Sequence, residues 1–117
     1  MKSKGGPPMI EPHALPLVEY FNKKGLTTRM SCEGHSKPYQ TIFWVSFTDD
    51  ISEEQIIEFQ KAHSMKSSYG EYFCSYGRFA MRTYLAFGKI CHSWNYFASD
   101  WASAYADLEE WKKIDNN

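Results

Sequence analysis

The stretch Thr41-Ile42-Phe43-Trp44-Val45-Ser46-Phe47 decides the fold class of this chain. It is apolar on both faces and rich in β-branched and aromatic residues, which is typical of a strand that lies inside a sheet and is covered on both sides. We therefore predict a central strand at these residues. The sequence on either side must then supply the other strands and the helices that cover the sheet.

Upstream of this strand, the sequence predicts a short helix followed by a second strand. Apolar residues recur at helical spacing from Pro16, and lysines just before Gly25 mark the end of the helix. Residues 26–32 then alternate in polarity, which indicates a half-buried strand. In a regular strand, Arg29 and Ser31 would lie on the same face.

Downstream, the sequence predicts another helix and two further strands. Ser52-Glu53-Glu54-Gln55 fits a capping box, so we expect a helix that begins there and ends near His63. Residues 71–74 and 78–87 are strand-like, and the segment 75–77 between them has the composition of a hairpin turn.

The last part of the chain predicts a long helix that covers the sheet. Ser93 is a candidate N-cap, and the apolar residues after it are spaced by threes and fours. These apolar residues are Trp94, Phe97, Trp101, Ala104, Tyr105, Leu108 and Trp111. The resulting order α-β-β-α-β-β-α predicts an α+β single-domain sandwich, in which helices pack on about four mostly antiparallel strands.

Length and composition predict one folded domain. The 117 residues are 43% hydrophobic and 23% charged, and the net charge is -1. Such a balanced charge excludes the long-range field that drives non-specific DNA binding or adsorption to anionic lipid. Residues 1–12 contain glycines and prolines without an apolar period, so we expect a flexible N-terminal arm before a single domain over residues 13–117.

Apolar runs and cysteines predict the compartment in which the protein works. No run is long enough to span a membrane, and the first residues lack a hydrophobic signal segment. Three cysteines at irregular spacing favour free thiols in a reducing compartment. We therefore expect a cytoplasmic protein, in the host cytoplasm if a phage encodes it.

One segment gathers several chemical types around a glycine at the predicted end of a strand. Its members are Arg29, Ser31, Cys32, Glu33, Gly34 and His35. Loops at strand ends often carry binding sites. We expect a positive φ at Gly34, which would let the loop present backbone N–H groups to an anion. An ordinary strand exit, with Cys32 buried and His35 in solvent, is the alternative interpretation.

Residues 17–55 also carry a family resemblance. The pattern is a helix ending Asn-x-x-Gly, then Thr-Thr-x-x-Ser-Cys-x-Gly, then Phe-Trp-Val-Ser before an acidic helix start. The matching residues are Asn22, Thr27, Thr28, Ser31, Cys32, Gly34, Phe43, Trp44, Val45 and Ser46. The pattern resembles the tRNA wybutosine-synthesising methyltransferase family, and membership would imply S-adenosylmethionine-dependent transfer to a modified guanine in tRNA. Ser-Cys-x-Gly-His also resembles small phage and bacterial proteins, which this chain matches better in length.

The arginines predict an anion site. The chain has only Arg29, Arg78 and Arg82, and all three lie in or beside predicted strands. We expect Arg29 and Arg82 to hold a phosphate with their guanidinium groups, while Trp44 or Trp94 stacks on a base. The approach to the last helix, where His92 lies, would face the Gly34 loop. These residues predict a binding protein, rather than an enzyme, for a small anionic ligand such as a nucleotide or cyclic nucleotide.

Other functions stay open at this point. The donor types of a structural zinc site are present in Cys32, His35, Cys91 and His92. An enzyme is a second alternative, either a reduced relative of the methyltransferases or a thiol-dependent enzyme acting through Cys32 and His35. The surplus of aromatic residues favours a third, an inhibitor that binds a protein partner, and is also compatible with a homo-oligomer. By analogy with small phage proteins, a nucleotide-binding chain would serve in counter-defence by sequestering a signalling nucleotide.

Overall fold

The computed structural model describes residues 11–32, 34, 42–66, 69–70 and 72–116. Within these ranges the helices are α1 (Leu15–Lys23), α2 (Glu53–His63) and α3 (Trp101–Asp115). The strands are β1 (Thr28–Cys32), β2 (Phe43–Phe47), β3 (Met65–Lys66), β4 (Tyr72–Phe73), β5 (Arg78–Ala86) and β6 (Lys89–Ala98). Strands β1, β2, β6 and β5 form a four-stranded antiparallel sheet in that order, while β3 and β4 form a small separate ribbon.

This architecture confirms the predicted α+β class and the order of the main elements. Strand β2 lies inside the sheet, as its composition predicts, and its residues Phe43, Val45 and Phe47 are fully buried. The predicted cover on both sides is wrong, because Trp44 and Ser46 line a cavity on the face opposite the helices. Phe43, Val45 and Phe47 lie on the face that the helices cover. Each helix contributes an aromatic ring that contacts the rings of this face: Phe21 from α1, Phe59 from α2 and Trp111 from α3. The core is therefore an aromatic layer between the helices and one face of the sheet.

The first two helices begin and end close to their predicted residues. A proline lies at the start of α1, where its missing N–H has no intrahelical partner to lose. Helix α2 has the complete capping box, because the Ser52 side chain accepts from the backbone of Gln55 and the Gln55 side chain accepts from the backbone of Ser52. Local capping chemistry was sufficient to predict these two elements.

The prediction of a helix beginning at Ser93 is wrong. Residues 89–98 form strand β6, and α3 begins only at Trp101, where Asp100 is the N-cap and accepts from the backbone N–H of Ser103. Tyr96 and Ala98 are buried on the helical face with two-residue spacing, which is the strand period. Aromatic residues on both faces of β6 produced an accidental match to the helical spacing.

The predicted hairpin at residues 75–77 is also wrong. Strand β4 pairs with β3, whereas β5 pairs with β6 through a turn at Phe87 and Gly88. Both turn residues have positive φ, 54° at Phe87 and 76° at Gly88, a combination that favours asparagine rather than phenylalanine at the first position. The side chain of Phe87 is fully exposed, at 103% of its reference area. The turn therefore presents a phenylalanine to solvent on a strained backbone.

Strand β1 contains an irregularity that decides the direction of one arginine. Thr28 lies opposite Phe47 and Met30 lies opposite Ser46, so Arg29 is the extra residue of a β-bulge. Ser31 lies opposite Val45 on the helical face, whereas the guanidinium group of Arg29 contacts Ser46 on the other face. The predicted shared face of Arg29 and Ser31 is therefore wrong, because a bulge breaks the two-residue alternation.

A buried carboxylate joins α3 to the sheet. Asp107 accepts hydrogen bonds from the backbone N–H groups of Tyr76 and Gly77 at 3.0 and 2.7 Å and from the Tyr96 hydroxyl at 2.6 Å. Burial raises the pKa of Asp107 above its ordinary value, although these hydrogen bonds act in the opposite direction. Asp107 therefore fixes the segment that leads into β5 and provides a hydrogen-bond acceptor for the buried Tyr96 hydroxyl.

A second carboxylate joins the three helices. Asp115, at the end of α3, accepts from the Tyr20 hydroxyl at 2.7 Å and lies 2.8 Å from Lys24 Nζ and 2.5 Å from His63 Nε2. Desolvation raises the pKa of Asp115, but the contacts with Lys24, His63 and Tyr20 outweigh it and lower that pKa to about 2.

The remaining predictions concern membrane-spanning helices and the N-terminal arm. No helix in the described ranges is long and apolar enough to cross a membrane. Residues 1–10 lie outside these ranges, so the predicted arm over residues 1–12 and the boundary at residue 13 stay predictions.

Candidate functional site

The face of the sheet opposite the helices contains a cavity of about 430 Å³. It extends from one edge strand to the other across β2, and its volume lies within the range of small-molecule sites. Its lining consists of Arg29, Met30, Trp44, Ser46, Arg82, Tyr84, Leu85 and Ala86. The predicted residues Arg29, Trp44 and Arg82 therefore lie around one cavity.

Arg29 enters the cavity from β1 because the bulge turns it away from the helices. Its guanidinium group hydrogen-bonds to the Tyr84 hydroxyl, lies 3.4 Å from Ser46 Oγ, and has its central carbon 4.7 Å from the centre of the Tyr84 ring. Asp49 Oδ1 lies 3.6 Å from Arg29 Nη1 and also accepts from the Tyr84 hydroxyl at 3.1 Å. These contacts hold the guanidinium group at the cavity while leaving its side chain 34% exposed.

Arg82 enters the cavity from β5, on the opposite edge of the sheet. It lies across from Ser93 in the strand register, and its guanidinium carbon lies 5.9 Å from the centre of the Trp44 ring. Cation–π contact at this distance orients a guanidinium group without using its N–H donors. The donors of Arg82 can therefore still bind a ligand.

Ser46, which lines the cavity, belongs to a buried polar row on this face of the sheet. Ser46 and Ser93 are each 3% exposed, and their hydroxyl oxygens lie 3.3 Å apart. Asn95, which is fully buried, donates to the backbone oxygen of Ser93 at 3.0 Å. Its own Oδ1 has no hydrogen-bond partner among the described groups. Buried polar groups under an open sheet face are costly to a fold unless they are satisfied, so this row is unusual for a purely structural surface.

The charges around the cavity favour an anion. Arg29 and Arg82 bring two positive charges, and Asp49 brings one negative charge at the rim. The long Arg29–Asp49 separation and the 56% exposure of the Asp49 side chain make this ion pair weak. An anion that offers two or more oxygens can therefore compete with Asp49 for the guanidinium donors.

The other predicted site residues lie elsewhere. Cys32 lies opposite Trp44 on the same strand pair but does not line the cavity. Gly34 has φ of 91°, so its predicted positive φ is confirmed. Trp94 lies opposite Met81 and packs against the helical core, and His92 Nδ1 lies 3.1 Å from the Thr83 hydroxyl.

Trp94 and His92 alternate with Ser93 along β6, which places both on the face opposite the cavity. Ser31 faces the helical layer through its register with Val45. The remaining two predicted site residues, Glu33 and His35, lie outside the described residues.

The expected meeting of the Gly34 loop with residues 89–93 is wrong. Strand β1 ends at Cys32, which is level with Trp44 and with Phe97 of β6. Residues 89–92 lie at the far end of β6, about 20 Å away along the strand direction. The two arginines nevertheless converge, because Arg29 lies near the start of β1 rather than at its end.

The same geometry bears on the zinc alternative. Cys32 is separated from Cys91 and His92 by the length of β6, and His35 lies outside the described residues. Among the described residues, no group of three or more histidine, cysteine, aspartate or glutamate side chains could hold a metal ion.

Sequence reasoning missed three residues that shape the cavity: Ser46, Tyr84 and Asp49. Two of them have a simple signal, since Ser46 follows Trp44 by two positions and Tyr84 follows Arg82 by two positions on regular strands. Asp49 lies in the turn after β2, and no spacing rule relates it to Arg29.

Comparison with known proteins adds no family to these observations: no family model, curated protein or solved structure matches this chain. The resemblances of residues 17–55 to the methyltransferase family and of the Ser-Cys-x-Gly-His segment to small phage and bacterial proteins stay predictions.

Proposed function

We propose that the protein binds a small anionic ligand with a planar ring, such as a nucleotide or cyclic nucleotide, in the cavity on the open face of the sheet. The observation that carries this proposal is the convergence of Arg29 and Arg82, from opposite edges of the sheet, on one cavity whose lining includes the buried Ser46. Few ligands other than phosphate or carboxylate match two guanidinium groups.

The aromatic walls of the cavity favour a nucleotide over a simple anion. Trp44 and Tyr84 both line it, and a base can stack on either ring if the guanidinium group over that ring moves onto the phosphate. The Ser46 hydroxyl in the lining can donate to or accept from a base edge or a ribose hydroxyl. Phosphate at the arginines and a base against the rings would use all of these groups.

We favour binding without chemistry. The described residues that line the cavity include no cysteine or histidine, so the thiol-dependent enzyme alternative gains no support from this site. A methyltransferase-like activity would need a site for a methyl donor besides the anion site. The role that fits a binding-only protein is sequestration of a nucleotide, and counter-defence by a phage would be one use of it.

A thermal-shift screen over nucleotides and cyclic nucleotides tests the proposal. A ligand that binds only the folded protein adds RT ln(1 + [L]/Kd), about 2.7 kcal/mol at a hundredfold excess over Kd. Mass spectrometry of the released compound should show it unaltered. An altered compound would favour the enzyme alternative, and the absence of any shift across nucleotides, nucleoside phosphates and inorganic phosphate would contradict the proposal.

Single substitutions around the cavity sharpen this test. Arg29→Ala and Arg82→Ala should each weaken binding of the hit about 10- to 100-fold, because each removes a charged hydrogen bond worth about 1.5–3 kcal/mol. Arg82→Lys should recover only part of the loss, since lysine lacks the planar fork. Asp49→Asn should strengthen binding, because it removes the carboxylate that competes for Arg29.

Arg78→Ala is the matched control for these variants. Arg78 lies over Phe97 at 5.9 Å on the same strand as Arg82, but it does not line this cavity. Equal losses in Arg78→Ala and Arg82→Ala would indicate non-specific charge attraction and would contradict a defined site.

A protein-binding inhibitor is the second candidate, because the β5–β6 hairpin exposes a group of apolar side chains at its end. Leu85, Phe87 and Ile90 are 76%, 103% and 68% exposed. A pure inhibitor would keep its activity in the double variant Arg29→Ala, Arg82→Ala, whereas a nucleotide-binding protein would lose it.

A further inference from the structure

The two edges of the sheet differ in how they are protected. Strand β1, on one edge, is short and carries the bulge at Arg29. Strand β5, on the other edge, covers residues 78–86 in unbroken register with β6 and contains no proline. Within the described ranges no strand pairs with the outer side of β5. A long and regular edge strand is a template for pairing with another strand.

We propose that β5 pairs with the same strand of a second copy of this chain, antiparallel and about a two-fold axis at Thr83. The two sheets then become one continuous sheet. Two-fold pairing of identical edges is self-complementary, which is the commonest form of homodimer. The strand also contributes Arg82, Tyr84, Leu85 and Ala86 to the lining of the cavity, but the pairing itself needs no ligand.

The choice of Thr83 follows from the alternation of side chains. Residues directly opposite each other in an antiparallel pair lie on the same face, so a symmetric pair must be centred on a residue. A centre at Thr83 places Met81 opposite Leu85 of the partner subunit and Arg82 opposite Tyr84 of the partner subunit. Met81 is 48% exposed and Leu85 is 76% exposed in the single chain, so this register covers apolar surface on both copies.

Neighbouring registers are less favourable. A centre at Arg82 would place two guanidinium groups directly opposite each other, which is destabilising. A centre at Tyr84 would place Leu85 opposite Thr83 of the partner subunit and Met81 opposite the turn residue Phe87 of the partner subunit, so it would lose the apolar pair between Met81 and Leu85 within the two strands. A centre at Met81 would pair the two copies of Met81 and set Arg78 against Tyr84 of the partner subunit, but it would leave Leu85 beyond the start of the partner's strand. The register at Thr83 covers both Met81 and Leu85 and sets Arg82 against Tyr84 of the partner subunit.

The exposed end of the hairpin supports the same arrangement. Strand β2 pairs with β6 only at residues 95–98, so the outer part of the β5–β6 hairpin extends beyond the residues paired with β2. In the register at Thr83, Phe87 at the tip reaches the level of Phe79 of the partner subunit. Phe79 packs against the aromatic core. The second copy therefore accounts for an apolar tip that a single chain leaves in solvent.

Sedimentation equilibrium across a range of concentrations tests the dimer. The unmodified protein should form a dimer, and the double variant Met81→Lys, Leu85→Lys should raise its dissociation constant at least tenfold, because it places lysines at the seam. Ile90→Lys is the control: Ile90 is 68% exposed on the same hairpin but lies on β6, away from the edge. Circular dichroism of each variant checks that the monomer stays folded.

Cysteine trapping tests the register directly. In a Cys32→Ser, Cys91→Ser background, Thr83→Cys should form an intermolecular disulfide under mild oxidation, because opposed residues have Cα atoms within bridging distance. Leu85→Cys should not, since its own copies would be about 13 Å apart along the strands. A monomer at all concentrations, a dimer that Met81→Lys, Leu85→Lys leaves intact, or equal trapping by both cysteines would overturn the proposal.

Discussion

The two faces of the sheet differ in whether their side chains find partners within the protein. On the helical face, aromatic rings contact one another in a continuous cluster, and the buried Asp107 has a hydrogen-bond partner for each oxygen. On the cavity face, the guanidinium groups lie over aromatic rings and remain partly exposed, and the buried Asn95 opposite Ser46 has an amide oxygen with no partner among the described groups. The helical face is satisfied internally, whereas the cavity face retains capacity for a ligand.

This difference separates stability from binding within one small domain. Substitutions on the helical face remove interactions that only the folded chain provides, so they should lower the free energy of unfolding. Substitutions on the cavity face remove groups that water already solvates in part, so they should act on binding and leave the fold nearly unchanged.

The largest expected effect comes from the centre of the helical face. Trp111 is 1% exposed and contacts rings from α1, α2 and the sheet, so Trp111→Ala should lower the free energy of unfolding by about 3–5 kcal/mol. Urea denaturation measures the change, and Trp111→Phe provides a milder variant if the alanine does not fold.

Trp101→Ala is the control for this substitution. Trp101, at the start of α3, is 39% exposed and stacks on His13 at a centroid distance of 4.2 Å. Its loss should cost about 1 kcal/mol. Equal effects of the two substitutions would mean that the helical face is not the stabilising one.

A smaller loss of stability is expected at Gly77, where the backbone packs closely against a core residue. A methyl group added at Gly77 would lie 2.5 Å from the carbonyl oxygen of Phe97 and would also collide with the Tyr96 hydroxyl. Gly77→Ala should therefore destabilise by about 1–3 kcal/mol, since the nearest atoms include backbone that cannot move aside. A melting temperature equal to that of the unmodified protein would contradict the close contact.

The pH dependence of stability tests the carboxylate that joins the helices. The pKa of Asp115 is lowered to about 2 in the folded chain, below its ordinary value of 3.8. Its contribution to stability is therefore complete above about pH 4 and is lost as the pH falls towards about 2, because the unfolded chain takes up the proton first.

Asp115→Asn is the variant that isolates this effect. The difference in urea midpoint between the unmodified protein and this variant should be large at pH 6 and shrink progressively between pH 4 and pH 2. Glu109→Gln changes an exposed carboxylate on the same helix and should show no such trend. A difference that stays constant over this pH range would refute the role given to Asp115.

The smallest effect on stability is expected on the cavity face. Arg82→Ala should change the free energy of unfolding by less than about 1 kcal/mol, because its contact with Trp44 is long and exposed. Guanidinium chloride titration of the ligand-free protein measures it. A loss comparable to that of Trp111→Ala would remove the distinction between the two faces.

Local chemistry predicted some elements well and failed at others for identifiable reasons. The capping box at Ser52 and the strand rich in aromatic and β-branched residues predicted at 41–47 each have a signal contained within a few residues, and a helix and an inner strand are found there. Strand β6 was missed because its aromatic side chains occupy both faces, so that helical and strand periods fit equally well. Only the pairing of residues 95–98 with β2, a long-range contact, separates the two.

The candidate site was predicted in part for the same reasons. Arginine is costly to place in a strand without a partner, and this argument singled out Arg29 and Arg82, which both line one cavity. The sites expected at Trp94 and His92 depended on a predicted helix at residues where the structure has strand β6. Because side chains alternate along a strand, both residues lie on the face opposite the cavity. Arg29 lies at the cavity because of a β-bulge, and no local sequence pattern predicted that bulge.

The bulge in β1 has a consequence for how this protein can vary. Because the extra residue sets which way Arg29 points, removing one residue just before it would place Arg29 level with Phe47 and direct a positive charge into the aromatic layer. Substitutions in β1 can change the strength of the site, but a change in chain length would relocate it. The face on which this charge lies therefore depends on the number of residues in the strand as well as on their identity.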